Sequence, residues 1–182
     1  FNDLSRIHKP LLNKSLKNLE KTVLKNDLIL SEDIRLFEEK YSEFTNQKYT
    51  VSCANGTDAI YLALKALNIG QGDEVITVCN SWISTSEVIT QTGAKVKFID
   101  IENENYNIDV NQIEDAMRHA ENKGLNTKAI IPVDLFGLPA RHRIISDLAK
   151  KHNLFILEDA AQGFGGEIRG QKAGSFGDVA ST

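Results

Sequence analysis

Residues 56–78 read Gly56-Thr57-Asp58-Ala59-Ile60-Tyr61-Leu62-Ala63-Leu64-Lys65-Ala66-Leu67-Asn68-Ile69-Gly70-Gln71-Gly72-Asp73-Glu74-Val75-Ile76-Thr77-Val78. From Gly56 to Leu67 the apolar residues recur at helical spacing, with Ala59, Leu62, Ala63, Ala66 and Leu67 on one stripe. Gly70-Gln71-Gly72-Asp73 is a turn. Glu74 to Val78 is then a strand. A helix thus gives way to a strand across one tight turn, and the same rhythm continues along the chain.

Upstream, Leu11 to Leu24 reads as a helix, with Leu12, Leu16, Leu19 and Val23 at helical spacing. Ser31-Glu32-Asp33 caps a second helix, Ile34 to Phe44, with Phe37 and Tyr41 on one face. Tyr49 to Ala54 is a short strand candidate. Downstream come a helix at Ser84 to Thr92, a strand at Lys95 to Asp100 and a helix at Asn111 to His119. A strand at Ala129 to Leu135, a helix at Ile144 to His152 and a strand at Leu154 to Leu157 follow. The last residues, Gly177-Asp178-Val179-Ala180-Ser181-Thr182, open a further strand. Strands separated by helices imply βαβ units, so the expected fold class is α/β, a mostly parallel sheet flanked by helices.

The chain has 182 residues, 41% hydrophobic and 25% charged, with 21 Lys and Arg against 25 Asp and Glu. A disordered chain would be less hydrophobic and more unbalanced in charge. The formal net charge of −4 is a poor electrostatic match for nucleic acid or an anionic membrane. No apolar run approaches the ~20 residues of a membrane helix, and the N-terminus lacks a signal-peptide pattern. Cys53 and Cys79 have no CxxC spacing, so a reducing cytoplasm is the expected setting. His8, His119, His142 and His152 are scattered and form no recognisable ligand pair, so no metal site is expected. A chain that begins with Phe1 and ends on a strand opening reads as a piece of something longer.

In open α/β sheets, ligands bind beyond the carboxyl ends of the strands. Three such ends carry candidate chemistry. Ala54-Asn55-Gly56-Thr57-Asp58-Ala59 places Asn, Gly and Thr at a helix start, where free N–H groups and the helix dipole make an anion site. An ordinary N-cap is the plainer alternative. Cys79-Asn80-Ser81-Trp82-Ile83-Ser84 holds the only tryptophan, which can stack on a planar ligand ring or fill the core. Leu157-Glu158-Asp159-Ala160-Ala161-Gln162 brings two carboxylates to the end of an apolar strand. A buried carboxylate needs a cation or donors, and a protonated heterocycle nitrogen is one such partner; a helix cap is the other reading. Phosphate cradle, aromatic and carboxylate on separate strand ends together match what pyridoxal 5'-phosphate requires.

A set of ordered segments sharpens this. They are Phe37-Glu38-Glu39-Lys40-Tyr41, Asn55-Gly56-Thr57-Asp58-Ala59, Gly72-Asp73-Glu74-Val75-Ile76-Thr77 and Gly93-Ala94. Pro132-Val133, Gly137-Leu138-Pro139-Ala140, Glu158-Asp159-Ala160-Ala161-Gln162 and Gly174-Ser175-Phe176-Gly177-Asp178 complete the set. In order and spacing they resemble the sugar-nucleotide aminotransferases of the DegT/DnrJ/EryC1/StrS group, fold-type I pyridoxal-phosphate enzymes. The resemblance covers essentially the whole chain. It implies an N-terminal helical segment at residues 1–45 and a cofactor-binding large domain at 46–182, incomplete and without the C-terminal small domain.

The resemblance implies that Gly56, Thr57 and Asp58 hold the cofactor phosphate. It places Trp82 against the pyridine ring, Asp159 on the pyridinium nitrogen and Gln162 on the ring hydroxyl oxygen. It implies a homodimer and transfer of an amine from an amino acid, usually glutamate, to a keto group on a nucleotide-linked sugar. The Asn-Gly-Thr-Asp-Ala stretch and the Asn2-Asp3-Leu4 opening most resemble members that aminate 3-keto-6-deoxy sugars. Asp134 stands where many members have His, Phe136 where they have Tyr, Arg141 where Asp is common and Gly163 where Ala or Ser is common. The family's Schiff-base Lys follows the Gly-Ser-Phe-Gly-Asp segment by about a dozen residues. It is therefore expected beyond Thr182, and the 182-residue piece is expected to be inactive alone. Lys172 precedes that segment and is not this lysine.

Two alternatives lie close by: a pyridoxal-phosphate sugar dehydratase, with His at the lysine position, and a non-catalytic regulatory or truncated member. A dinucleotide-binding domain is disfavoured, because Gly70 and Gly72 precede a strand instead of following one.

Overall fold

A computed structural model describes residues 3–182; Phe1 and Asn2 lie outside the described residues. In chain order its elements are α1 (Ser5–Lys25), α2 (Glu32–Thr45), α3 (Gly56–Ala66), β1 (Asp73–Val78), α4 (Ser84–Gln91) and β2 (Lys95–Ile99). Then come α5 (Ile113–Glu121), β3 (Asn126–Ile130), α6 (His142–His152), β4 (Phe155–Asp159), β5 (Glu167–Ile168), β6 (Gln171–Lys172) and β7 (Val179–Ser181). Two compact units are present. One runs to Ser42 and includes Tyr49–Ser52; the other holds Glu43–Lys48 and Cys53–Thr182.

In the first unit, α1 buries none of its residues, and Leu12, Leu16, Leu19 and Val23 are each more than half exposed. Thr22 Oγ1 donates to Asp33 Oδ2 at 2.8 Å. The Phe37 and Tyr41 rings lie 5.9 Å apart on α2. The strand expected at Tyr49 to Ala54 does not form. Its backbone pairs with no strand among the described residues; Ser52 N–H donates instead to Glu38 Oε1 at 2.7 Å. Alternating apolar residues become a strand only where another strand offers a ladder, and Val51 is left exposed.

In the second unit the described strands form a five-stranded parallel sheet in the order β2-β1-β3-β4-β7 and a two-stranded antiparallel hairpin, β5-β6. The connections from β1 through β4 each carry a helix, as parallel crossovers commonly do, whereas β4 reaches β7 by way of the β5-β6 hairpin. Side-chain alternation along the strands splits the core in two. Ile76, Val78, Ile130 and Ile156 join Ile113, Met117, Ile145 and Ala149 of α5 and α6 on one face. Val75, Ala129, Ile131 and Leu157 join Ile60, Leu64, Val88 and Ile89 of α3 and α4 on the other.

Two expectations need correction here. The buried stripe of α3 is Ile60, Ala63 and Leu64, not one containing Leu62, which is 54% exposed. The helix is apolar on more than one side, and the sheet selects the side that packs. Strand β3 stops at Ile130 instead of reaching Leu135. Pro132 cannot donate to a ladder, and Leu135–Gly137 forms a short 3-10 turn with Phe136 at φ 56°.

Candidate active site

Strand β4 ends at Glu158 and Asp159, and alternation sends these neighbours to opposite faces of the sheet. Asp159 faces α4. Its Oδ2 accepts from Thr85 Oγ1 at 2.8 Å and its Oδ1 from Ala161 N–H at 3.3 Å. Asp159 is 4% exposed, and among the described residues no ion pair reaches it. Burial pushes its pKa upward and the Asp134 charge adds to that, while the Thr85 and Ala161 donors pull it down. A buried carboxylate in this state is completed by a cation.

Thr85 belongs to the first turn of α4, where a hydroxyl network begins. Ser81 Oγ and Thr85 Oγ1 are 2.8 Å apart. Ser84 Oγ meets Thr57 Oγ1 at 2.7 Å, which joins the first turns of α4 and α3. Helix α3 starts where Asn55, in extended conformation, caps it by accepting from Asp58 N–H at 3.0 Å. Asn55 Nδ2 also donates to the Asp58 carboxylate at 3.2 Å. Among the described residues, no acceptor meets the N–H of Gly56 or Thr57. A Cβ added to Gly56 would meet nothing within 4 Å. Two free donors beside open space at the positive end of an 11-residue helix suit a phosphate.

Trp82 is 74% exposed, so it is not the core aromatic that its size alone suggests. Gln162 is also exposed, and its Oε1 accepts from Phe136 N–H at 3.3 Å. The structure therefore brings Thr57 and Asp159 to one region through Ser84 and Thr85, and these two hydroxyl residues were missed in the sequence. The run of Ser81, Ser84, Thr85 and Ser86 after β1 was the available signal. No expected site residue lies in the first unit.

The residues present thus offer an anion cradle and a buried acceptor for a cation, which fits a phosphorylated pyridine. The sequence profile described as the DegT/DnrJ/EryC1/StrS aminotransferase family matches residues 11–182. The chain belongs to this family. It is 40% identical over 177 residues to a UDP-N-acetyl-3-dehydro-alpha-D-glucosamine 3-aminotransferase of Acidithiobacillus ferrooxidans, covering 97% of this chain and 46% of that protein. It is 35% identical over 182 residues to the UDP-2-acetamido-2-deoxy-3-oxo-D-glucuronate aminotransferase of Pseudomonas aeruginosa, covering 100% and 49%. The crystal structure of a DegT/DnrJ/EryC1/StrS aminotransferase from Brucella abortus superposes with a TM-score of 0.96 at 37% identity, over 99% of this chain and 48% of that one. The chain spans about half the length of the curated relatives it matches. The family is pyridoxal-phosphate-dependent, and the sheet and flanking helices are those of its members. No helix among the described residues is long and apolar enough to cross a membrane.

Proposed function

We propose that the protein carrying this chain is a pyridoxal-phosphate aminotransferase that moves an amine from glutamate to a keto group on a nucleotide-linked deoxy sugar. The observation that carries the reading is Asp159, a buried carboxylate without an ion-pair partner among the described residues, linked through Thr85 and α4 to the free donors of α3. Gly56 and Thr57 bind the phosphate by backbone N–H groups, and Asp58 closes the cap with Asn55. Asp159 holds the proton on the ring nitrogen, Thr85 orients Asp159, Trp82 covers the ring and Gln162 bonds its hydroxyl oxygen. Bound there, the cofactor supplies an electron sink for moving a proton beside the amine nitrogen. The family resemblance extends the proposal to a homodimer.

The test is an absorbance spectrum of the full-length protein with cofactor. A near-visible band that changes on adding glutamate supports the reading. Absence of any such band or change defeats it. Light scattering checks the dimer: a monomer at all concentrations excludes that part.

A further inference from the structure

Glu158 points away from Asp159, toward α6. Its Oε1 accepts from Gly174 N–H at 2.5 Å, and its Oε2 from Phe176 and Gly177 N–H at 2.7 and 3.2 Å. Beside it Asp134 is fully buried, with Oδ1 accepting from Ala140 N–H at 2.9 Å and meeting His142 Nε2 at 2.7 Å. Among the described residues, Asp134 Oδ2 has no hydrogen-bond partner. Carboxylate oxygens of Asp134 and Glu158 and a ring nitrogen of His142 lie within 4.8 Å of one another. The His142 ring stacks on Phe176 with centroids 4.4 Å apart. Two buried carboxylates at this range repel each other with little screening by water, which favours one proton between them. A proton between them also gives Asp134 Oδ2 its missing partner.

We propose that Asp134 and Glu158 share one proton, oriented by His142, and that this buried triad is a positioning group that sets the charge behind Asp159. The first half stands on geometry alone; the second rests on the reading of Asp159 as the cofactor's partner. Burial and then Asp134 push Glu158 up to about 7, with His142 pulling the other way. The 174–177 segment faces the triad with N–H groups and the Phe176 ring, and Gly163 faces it without charge. While the shared proton stays, the carboxylate pair carries one negative charge. When it leaves, the added charge drives Asp159 toward its own neutral form and away from a cationic partner.

The test uses full-length, cofactor-free protein and the infrared C=O band of a protonated carboxylic acid. The band is expected below neutrality, to fade as pH rises through about 7, and to weaken in Asp134→Asn. That amide keeps both contacts of Oδ1 and presents N–H where Oδ2 stands. Glu74 and Asp159 are also raised by burial, so the band must persist in a Glu74→Gln/Asp159→Asn double variant. Glu158's folded pKa lies above its ordinary 4.5, so native protein holds the extra proton between those values. The melting temperature therefore falls as pH rises from 4.5 through about 7, and falls less in Asp134→Asn. A band missing from the double variant, or surviving Asp134→Asn made in that double-variant background, overturns the shared proton. So does a zinc-induced rise in wild-type melting temperature that Asp134→Asn abolishes, since the three ligands then hold a metal. With cofactor, Asp134→Asn should shift acid-side loss of the cofactor to lower pH, and an unchanged loss curve overturns the second half. Failure to bind cofactor at all defeats the functional reading while the apo-protein infrared result still decides the proton.

Discussion

Thr85 Oγ1 donates to Asp159 Oδ2 at 2.8 Å, tying the first turn of α4 to the last residue of β4. Thr85→Val keeps the shape and removes the donor. A buried hydrogen bond to a charged group is worth about 1.5–3 kcal/mol. Urea unfolding of the apo protein should show a loss in that range. Because the Thr85 donor pulls the Asp159 pKa down, the variant should also bind cofactor more weakly near neutrality. Unchanged stability and unchanged affinity would remove Thr85 from the site.

Asp159→Asn separates stability from function. The wild-type carboxylate is buried with its pKa pushed upward, so its charge is a burden on the apo fold. The amide should leave apo stability equal or higher in urea unfolding. Cofactor-dependent turnover should drop by roughly a hundredfold or more, the scale of losing one preorganised electrostatic group. Near wild-type turnover would refute the role proposed for Asp159.

Gly163 and Asp134 fit each other. A Cβ on Gly163 would stand 2.9 Å from Asp134 Cβ and 3.1 Å from Ala173 Cβ. Gly163→Ala should cost about 1–3 kcal/mol through overpacking, read by urea unfolding. A neutral result would show that the Asp134 segment yields easily.

Glu114 bridges α5 to α6, with Lys151 Nζ at 2.7 Å and His152 Nε2 at 2.8 Å. The hydrogen bond from Lys151, followed by that from His152, lowers its pKa to about 2. A lowered folded value means that the bridge stabilises fully above the ordinary 4.5 and is lost as pH falls toward 2. Carboxyl NMR of Glu114 should titrate near the lower value and return toward 4.5 in Lys151→Met. Added salt should shrink the difference, because the pair is solvent-exposed. A wild-type midpoint already at 4.5 would show that the bridge does not persist in solution.

Much of the architecture was legible from local pattern. Periodicity placed α3, β1, α4, β2, α6 and β4 within a few residues, because helix and strand impose different spacings on apolar side chains. The ordered motifs from Phe37 to Asp178 point to the family, strand ends point to Trp82 and Asp159, and the start of α3 points to Gly56 and Thr57 although no strand precedes it among the described residues. Local pattern misread Tyr49 to Ala54 and the end of β3, because a strand needs a partner and a donor at every rung.

What only tertiary structure decided is which groups meet. Sequence shows Glu158 and Asp159 as adjacent carboxylates. Packing sends one toward Asp134 and His142 and the other toward Thr85. Likewise α3 could have buried either of two apolar stripes, and the sheet took Ile60, Ala63 and Leu64. Periodicity is a local property that a few residues carry. Proximity between residues far apart in the chain, such as Thr57 with Ser84 and Asp134 with Glu158, exists only after strand order and helix faces are set by burial of the two cores.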